Sequence, residues 1–287
     1  MPAIVCKSGP WEVECLPEDG ARLSRLSYKG HSLLTPPPGP FTPLPQFGAY
    51  ETRPVYGYDD CFPTVDPCVY PGKPQLFIPD HGELCWLPWQ VEPSAGRLDC
   101  SVESRLLPLQ FRRTLVFGAD ALRWQFEVRN DAEETLHFLH VMHALMLPAQ
   151  IGEIHLPDCA SLYDETRAEM IGREPPPQLA RSLLATPRGT AQMLLLRGVR
   201  EQSVGLVLRN GLALRIESPT GLFPTLGIWW NNSGYPPIAG RERSECAFEP
   251  VPGTASSLLE SSKRALTLSV SPGGRTSWSV LWKITAC

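Results

Sequence analysis

Short runs of alternating apolar and polar residues recur along the chain, each bounded by turn formers. Trp11-Glu12-Val13-Glu14-Cys15-Leu16 and Ala21-Arg22-Leu23-Ser24-Arg25-Leu26-Ser27-Tyr28 open the series, with Pro17-Glu18-Asp19-Gly20 between them. A period of two places successive side chains on opposite faces of a pleated strand, so Ile4–Leu34 is expected to be a β-meander. Thr35–Pro45 concentrates proline, which has no backbone donor, and is expected to be an extended loop. The alternation is clearest in Leu98–Leu106, Leu109–Phe117, Leu122–Asn130 and Leu136–Met146. It resumes at Ala191–Leu196, Ser203–Leu208, Leu212–Glu217, Leu226–Trp230, Cys246–Pro250, Ala265–Val270 and Ser277–Ile284, with Ser271-Pro272-Gly273-Gly274 turning the last pair. Leu162–Met170 is compatible with a short helix, and Pro175-Pro176-Pro177 reads as loop. No stretch sustains a helical period, which argues against parallel strands joined by helices. The pattern therefore predicts an all-β fold of antiparallel strands, a sandwich or barrel, with residues 1–287 as one domain.

Composition narrows this picture without redirecting it. With 287 residues, 43% apolar and 20% charged, the chain can bury a substantial core. A net charge of −4 gives no basic surface for a polyanion, so nucleic acid is not an expected partner. The start, Met-Pro-Ala-Ile-Val-Cys-Lys, lacks the basic segment and apolar run of a secretory signal, and no later run is long enough to span a bilayer. A cytoplasmic protein without a membrane partner is expected. The nine cysteines are odd in number and contain no Cys-x-x-Cys, which predicts buried small hydrophobes in place of a disulfide framework or zinc clip.

Polar chemistry is concentrated in two regions. Gln46–Gly82 is dense in turn formers, aromatics and carboxylates, among them Tyr50, Arg53, Asp59, Asp60 and Asp66, and runs into Pro79-Asp80-His81-Gly82-Glu83-Leu84-Cys85-Trp86-Leu87-Pro88-Trp89. The second is Leu136–Met146, with His137, His140 and His143. On a strand His140 and His143 face opposite ways, and His-x-x-His is a poor metal spacing there. His143, just before Leu147-Pro148, is either an acid at a strand edge or a histidine satisfied by a backbone carbonyl. Glu249, between Phe248 and Pro250, is either turned outwards or held where its pKa matters. Asp59, Asp60 and Asp66 would make a hard-cation site only if their oxygens converged.

Gly20-Ala21-Arg22-Leu23-Ser24-Arg25-Leu26, His81-Gly82-Glu83-Leu84 with Pro88-Trp89, Asn130 ahead of His143, and Phe248-Glu249-Pro250 ahead of Ser271-Pro272-Gly273-Gly274 together resemble the galactose mutarotase (aldose 1-epimerase) superfamily, in the same order over nearly the whole chain. The resemblance implies a large antiparallel β-sandwich, the galactose mutarotase-like supersandwich, with a concave carbohydrate cleft. It also implies Glu249 as general base, His143 as general acid and His81 as a substrate-binding group, with a monosaccharide as partner and neither metal nor cofactor. Arg53 and Asp60 are then candidates to hold sugar hydroxyls, and Trp229, with Trp86 and Trp230, to stack on a sugar face or fill the core. Glu83 is expected either to support a site residue from behind or to fix a loop. Thr52-Arg53-Pro54 stands where the best-known mutarotases carry Asn-Arg-Ile, which leaves the sugar open. A non-catalytic carbohydrate-binding protein and a sugar-phosphate mutarotase are the alternatives on the same fold.

Overall fold

The computed structural model describes residues 2–42, 48–238 and 240–286. The end of the expected proline-rich loop, 43–45, lies outside them, as do Gln46 and Cys287. The alternating runs become strands because each can bury one face against the opposite layer. In Leu109–Phe117 the core side carries Leu109, Phe111, Arg113 and Leu115, and its antiparallel neighbour Ala121–Asn130 contributes Leu122, Trp124, Phe126 and Val128. These two strands sit inside an eight-stranded antiparallel sheet. Its order is Ile151–His155, Ser203–Leu208, Leu212–Glu217, Arg275–Ala286, Ala121–Asn130, Leu109–Phe117, Arg97–Glu103 and Gln90–Ser94.

The opposite layer is built from two sheets. One runs Ile4–Ser8, Trp11–Leu16, Arg22–Tyr28, Tyr58–Cys61, Val141–Ala144; the other runs Glu169–Gly172, Ser161–Asp164, Thr190–Arg197, Thr225–Asn232, Ser244–Val251. Reciprocal backbone hydrogen bonds between Met146 and Cys246, 2.8 and 2.9 Å, join them edge to edge. Val141–Ala144 and Ser244–Val251 thereby become neighbours near the middle of a continuous surface. The core between the layers is apolar and aromatic, with Tyr58 against Trp124 and Phe62 against Phe111. The eight described cysteines are free and buried. Among the described residues no helix is long and apolar enough to cross a membrane.

Three elements depart from the pattern reading. Leu136–Met146 is not one strand: Leu136–Phe138 pairs with Leu268–Val270, whereas Val141–Ala144 pairs with Tyr58–Cys61. Residues 162–170 form a hairpin, not a helix, with Tyr163 opposite Met170 and Asp164 Oδ1 accepting from the Arg167 N–H at 3.0 Å. Pairing of Ser161–Asp164 with Thr190–Arg197 decides the matter, a tertiary contact that local propensity does not contain. Conversely, Pro176–Leu184 is a helix beginning at the prolines, which are tolerated in a first turn where no N–H is needed; Leu179, Ala180 and Leu183 bury its inner face.

Candidate functional site

The strand Tyr58-Asp59-Asp60-Cys61 sends its consecutive aspartates to opposite faces. Asp60 enters the core, where Arg113 and Tyr58 bond it and His140 Nε2 lies 3.0 Å away. Its side chain is 0% exposed. Burial pushes the Asp60 carboxyl up, but Arg113 and His140 outweigh burial and hold it below its ordinary value. Asp60 thus closes a buried ion pair and does not reach a ligand, contrary to the sequence expectation. His140 is its partner, and burial lowers the imidazole pKa against the pull of Asp60.

Asp59 faces the other way and meets His143, its register partner on Val141–Ala144. Asp59 Oδ1 is 2.8 Å from His143 Nδ1, while Oδ2 accepts from Tyr50 Oη at 3.0 Å and from Arg22 Nη2 at 2.9 Å. Tyr50 Oη also lies 3.2 Å from His143 Nδ1. Burial would raise the Asp59 carboxyl, yet Arg22 and the hydrogen bond to His143 hold it well below the usual carboxylate range. The carboxylate therefore stays charged and fixes the imidazole with Nδ1 inward. Arg22 continues inward to Asp19 at 2.8 Å, and Asp19 to Arg53.

That chain corrects the expectation for Arg53. Its guanidinium is buried, donates to the Cys85 carbonyl at 2.7 Å and lies 4.8 Å over the Trp86 ring. It ends the chain of charged groups behind His143 and is not among the residues that line the cleft beside His143. Trp86 and Trp230 are core residues as well, 7% and 2% exposed.

His81 is placed by a tight turn. Its φ is +59° and that of Gly82 is +69°; a Cβ on Gly82 would fall 1.9 Å from the Phe62 carbonyl oxygen, so only glycine permits this approach. The Glu83 N–H donates to the same carbonyl at 3.0 Å. Glu83, itself buried, ties down residues 104–106 by accepting from Ser104 Oγ and from the Arg105 N–H at 2.8 Å. The loop-fixing role expected of it fits this placement. The turn stacks the His81 ring on Tyr50, centroids 3.6 Å apart and planes within 2°, and brings it to 5.0 Å from the His143 ring. Asp80 Oδ1 lies 2.9 Å from His81 Nδ1.

Glu249 comes from Ser244–Val251, opposite Gly227 on the next strand. It is 3% exposed, and burial drives its pKa from the ordinary 4.5 to about 7; His143 pulls the value down, whereas Asp59 and Glu165 add to the rise. Half-buried Trp229 neighbours it, its Nε1 donating to Glu245 at 3.3 Å. His81, His143, Glu249 and Trp229 all line one cleft of about 490 Å³. The cleft also has Met193, Tyr235 and Arg243 in its walls, together with Asp66, Asp80, Glu165 and Glu245. Pattern reading named Tyr50 only as one of the aromatics of Gln46–Gly82, and did not find Glu245 or the pairing of Asp59 with His143. For the last, the two aspartates at 59 and 60 were a signal, since alternation sends only one of them to each face.

The sequence matches no protein-family model and no curated protein. Solved structures do match over the whole chain. The Slr1438 protein of Synechocystis sp. PCC 6803 superposes with a TM-score of 0.76 at 15% identity, covering 100% of this chain and 96% of its own. A galactose mutarotase related enzyme from Lactobacillus acidophilus gives a TM-score of 0.70 at 16% identity, covering 99% and 98%. A galactose mutarotase-like protein from Lactobacillus casei gives 0.67 at 14% identity, covering 99% and 100%. The fold is that of the galactose mutarotase-like proteins. Within this galactose mutarotase-like sandwich the cleft lies where the two sheets of one layer meet, because His143 and Glu249 come from the adjoining strands. The arrangement offers a carboxyl that titrates near neutrality and an imidazole backed by a carboxylate, the pair of groups needed for proton transfer at two atoms of one ligand.

Proposed function

We propose that the cleft binds a free aldose and interconverts its anomers. The observation that carries this reading is the meeting of Glu249 and His143 in one cleft, one carboxyl raised to about 7 and one imidazole held by Asp59. Glu249 takes the proton from the anomeric hydroxyl O1. As the C1=O1 bond forms, the C1–O5 bond breaks, and O5 receives a proton from His143 Nε2. Rotation about C1–C2 and the reverse transfers close the ring on the other face. Charges are conserved between the two side chains, so positioned acid–base chemistry suffices for the step. His81 supplies a ring nitrogen to the sugar, and the Trp229 and Met193 walls supply apolar surface.

The charge of the cleft supports an uncharged sugar over a sugar phosphate. Asp66, Asp80, Glu165, Glu245 and Glu249 line it, and the one arginine in its wall among the described residues, Arg243, is already engaged with Glu245 at 3.4 Å. A phosphate dianion there meets repulsion and lacks the converging donors that usually recognise it.

Anomer exchange of several aldoses, followed by NMR, tests the proposal. The expected result is acceleration by wild type and a loss of about two to four powers of ten in Glu249→Gln and in His143→Asn. Full activity in both variants would remove the assignment. Sugar binding without acceleration by the wild type would make the protein a carbohydrate-binding module.

A further inference from the structure

Cys61 has no part in that mechanism, yet it lies beside the residues that do. It is two positions after Asp59 on the same strand and shares its face. One donor atom from each of Cys61, His81 and His143 lies within 4.8 Å of the others. Both imidazoles present Nδ1 to a carboxylate, Asp59 at 2.8 Å and Asp80 at 2.9 Å. A carboxylate on one ring nitrogen is the usual support of a metal-ligating histidine, because it fixes the tautomer and directs the lone pair of the other nitrogen outward. His81 and His143 also line the cleft, which leaves room for a further ligand from solvent or substrate.

We infer that Cys61, His81 and His143 form a site for a borderline-soft divalent cation such as Zn²⁺, whose occupancy withdraws both histidines from the sugar. Thiolate and imidazole are the ligands such ions prefer, and three protein ligands with one open position is a common zinc arrangement. Ligand atoms around tetrahedral zinc stand roughly 3.5 Å apart, so binding requires side-chain movements of about an ångström. This site is distinct from the aspartates at 59, 60 and 66, whose carboxylates do not converge because Asp60 points into the core. Binding requires nothing of the catalytic reading; its effect on activity rests on that reading.

The experiment titrates chelator-treated full-length protein with Co²⁺, followed by absorption, and then adds Zn²⁺ as competitor. One ion per chain, a thiolate-to-cobalt charge-transfer band and displacement by zinc are expected. Cys61→Ser should lose the band. Asp80→Asn, a change at a carboxylate whose side chain is 33% exposed, keeps the core intact and should weaken binding by about 10–100-fold. A wild type without the thiolate band, or a Cys61→Ser protein that binds cobalt as tightly with the same spectrum, would overturn the inference. Anomer exchange measured with and without zinc completes the test: zinc should slow wild type, with a weaker relative effect in Cys61→Ser and Asp80→Asn. Cobalt binding by a protein with no exchange activity would sink the proposed function and leave the metal site standing. Exchange activity unaffected by zinc in a protein that shows no cobalt band would do the reverse.

Discussion

Replacing Glu249 with glutamine should remove a proton-linked instability along with the base. In the folded chain burial raises this carboxyl from 4.5 to about 7, whereas in the unfolded chain it keeps its ordinary value. At 1.36 kcal/mol for each tenfold change in the ionisation constant, the difference is about 3 kcal/mol. The sign follows from proton counts. Between about pH 4.5 and 7 the folded state holds the proton that the unfolded state has lost, so stability falls as pH rises through this window. Below it both states are protonated and nothing is lost; above it both are ionised and the full destabilisation is present. Glutamine has the same shape and cannot ionise. The variant should therefore match wild type near about pH 4.5 and exceed it by about 3 kcal/mol near about pH 8.5, roughly 6–12 °C in melting temperature for a chain of this size. Urea unfolding of both proteins across that range is the assay, and the difference between them cancels the titrating groups that do not interact with Glu249, leaving its own titration and its coupling to His143, Asp59 and Glu165. A difference that stays flat with pH, or a glutamine variant less stable than wild type at alkaline pH, would refute the buried-carboxyl reasoning. A positive result is what a functional carboxylate held against its own solvation requires.

Three further outcomes follow from particular contacts. Asp59→Asn leaves His143 without its charged partner, and anomer exchange should fall by at least about tenfold while urea stability at the same pH separates this from unfolding. Asp60→Ala strands the Arg113 guanidinium in the core; denaturant midpoints should report a loss of about 3–5 kcal/mol, with the KM of the remaining folded protein unchanged because the side chain does not reach the cleft. Gly82→Ala combines a left-handed φ with a clash at the Phe62 carbonyl, so it should destabilise by more than about 1 kcal/mol and raise KM through displacement of His81, both measurable on one preparation.

Much of the frame could be read from alternation because a strand with one buried face must repeat every two residues. Leu109–Phe117, Ser203–Leu208 and Leu212–Glu217 have the expected bounds. The pattern misleads where a third party intervenes: Leu136–Met146 breaks at residues 139–140 and switches partners between sheets, and residues 162–170 accept a neighbouring strand that a local reading cannot see. Arg53 and Asp60 illustrate the same limit for polar groups. Charged residues in an aromatic, turn-rich stretch resemble ligand contacts, yet both are sealed in ion pairs with Asp19 and Arg113, partners far away in sequence.

What the chain determines by itself is the class of structure and an inventory of chemistry: an antiparallel sandwich, a few histidines, and a carboxylate at Glu249 set among apolar neighbours. Alternation even separates Asp59 from Asp60, since face assignment within one strand is local. Only the tertiary structure decides which faces look into a cleft. The Met146–Cys246 bridge sets two sheets edge to edge, and that junction brings His143 and Glu249 into one space. The same packing strips water from Glu249 and moves its pKa toward neutrality, a property that depends on burial and charge at a distance and so is not written in any single stretch of residues.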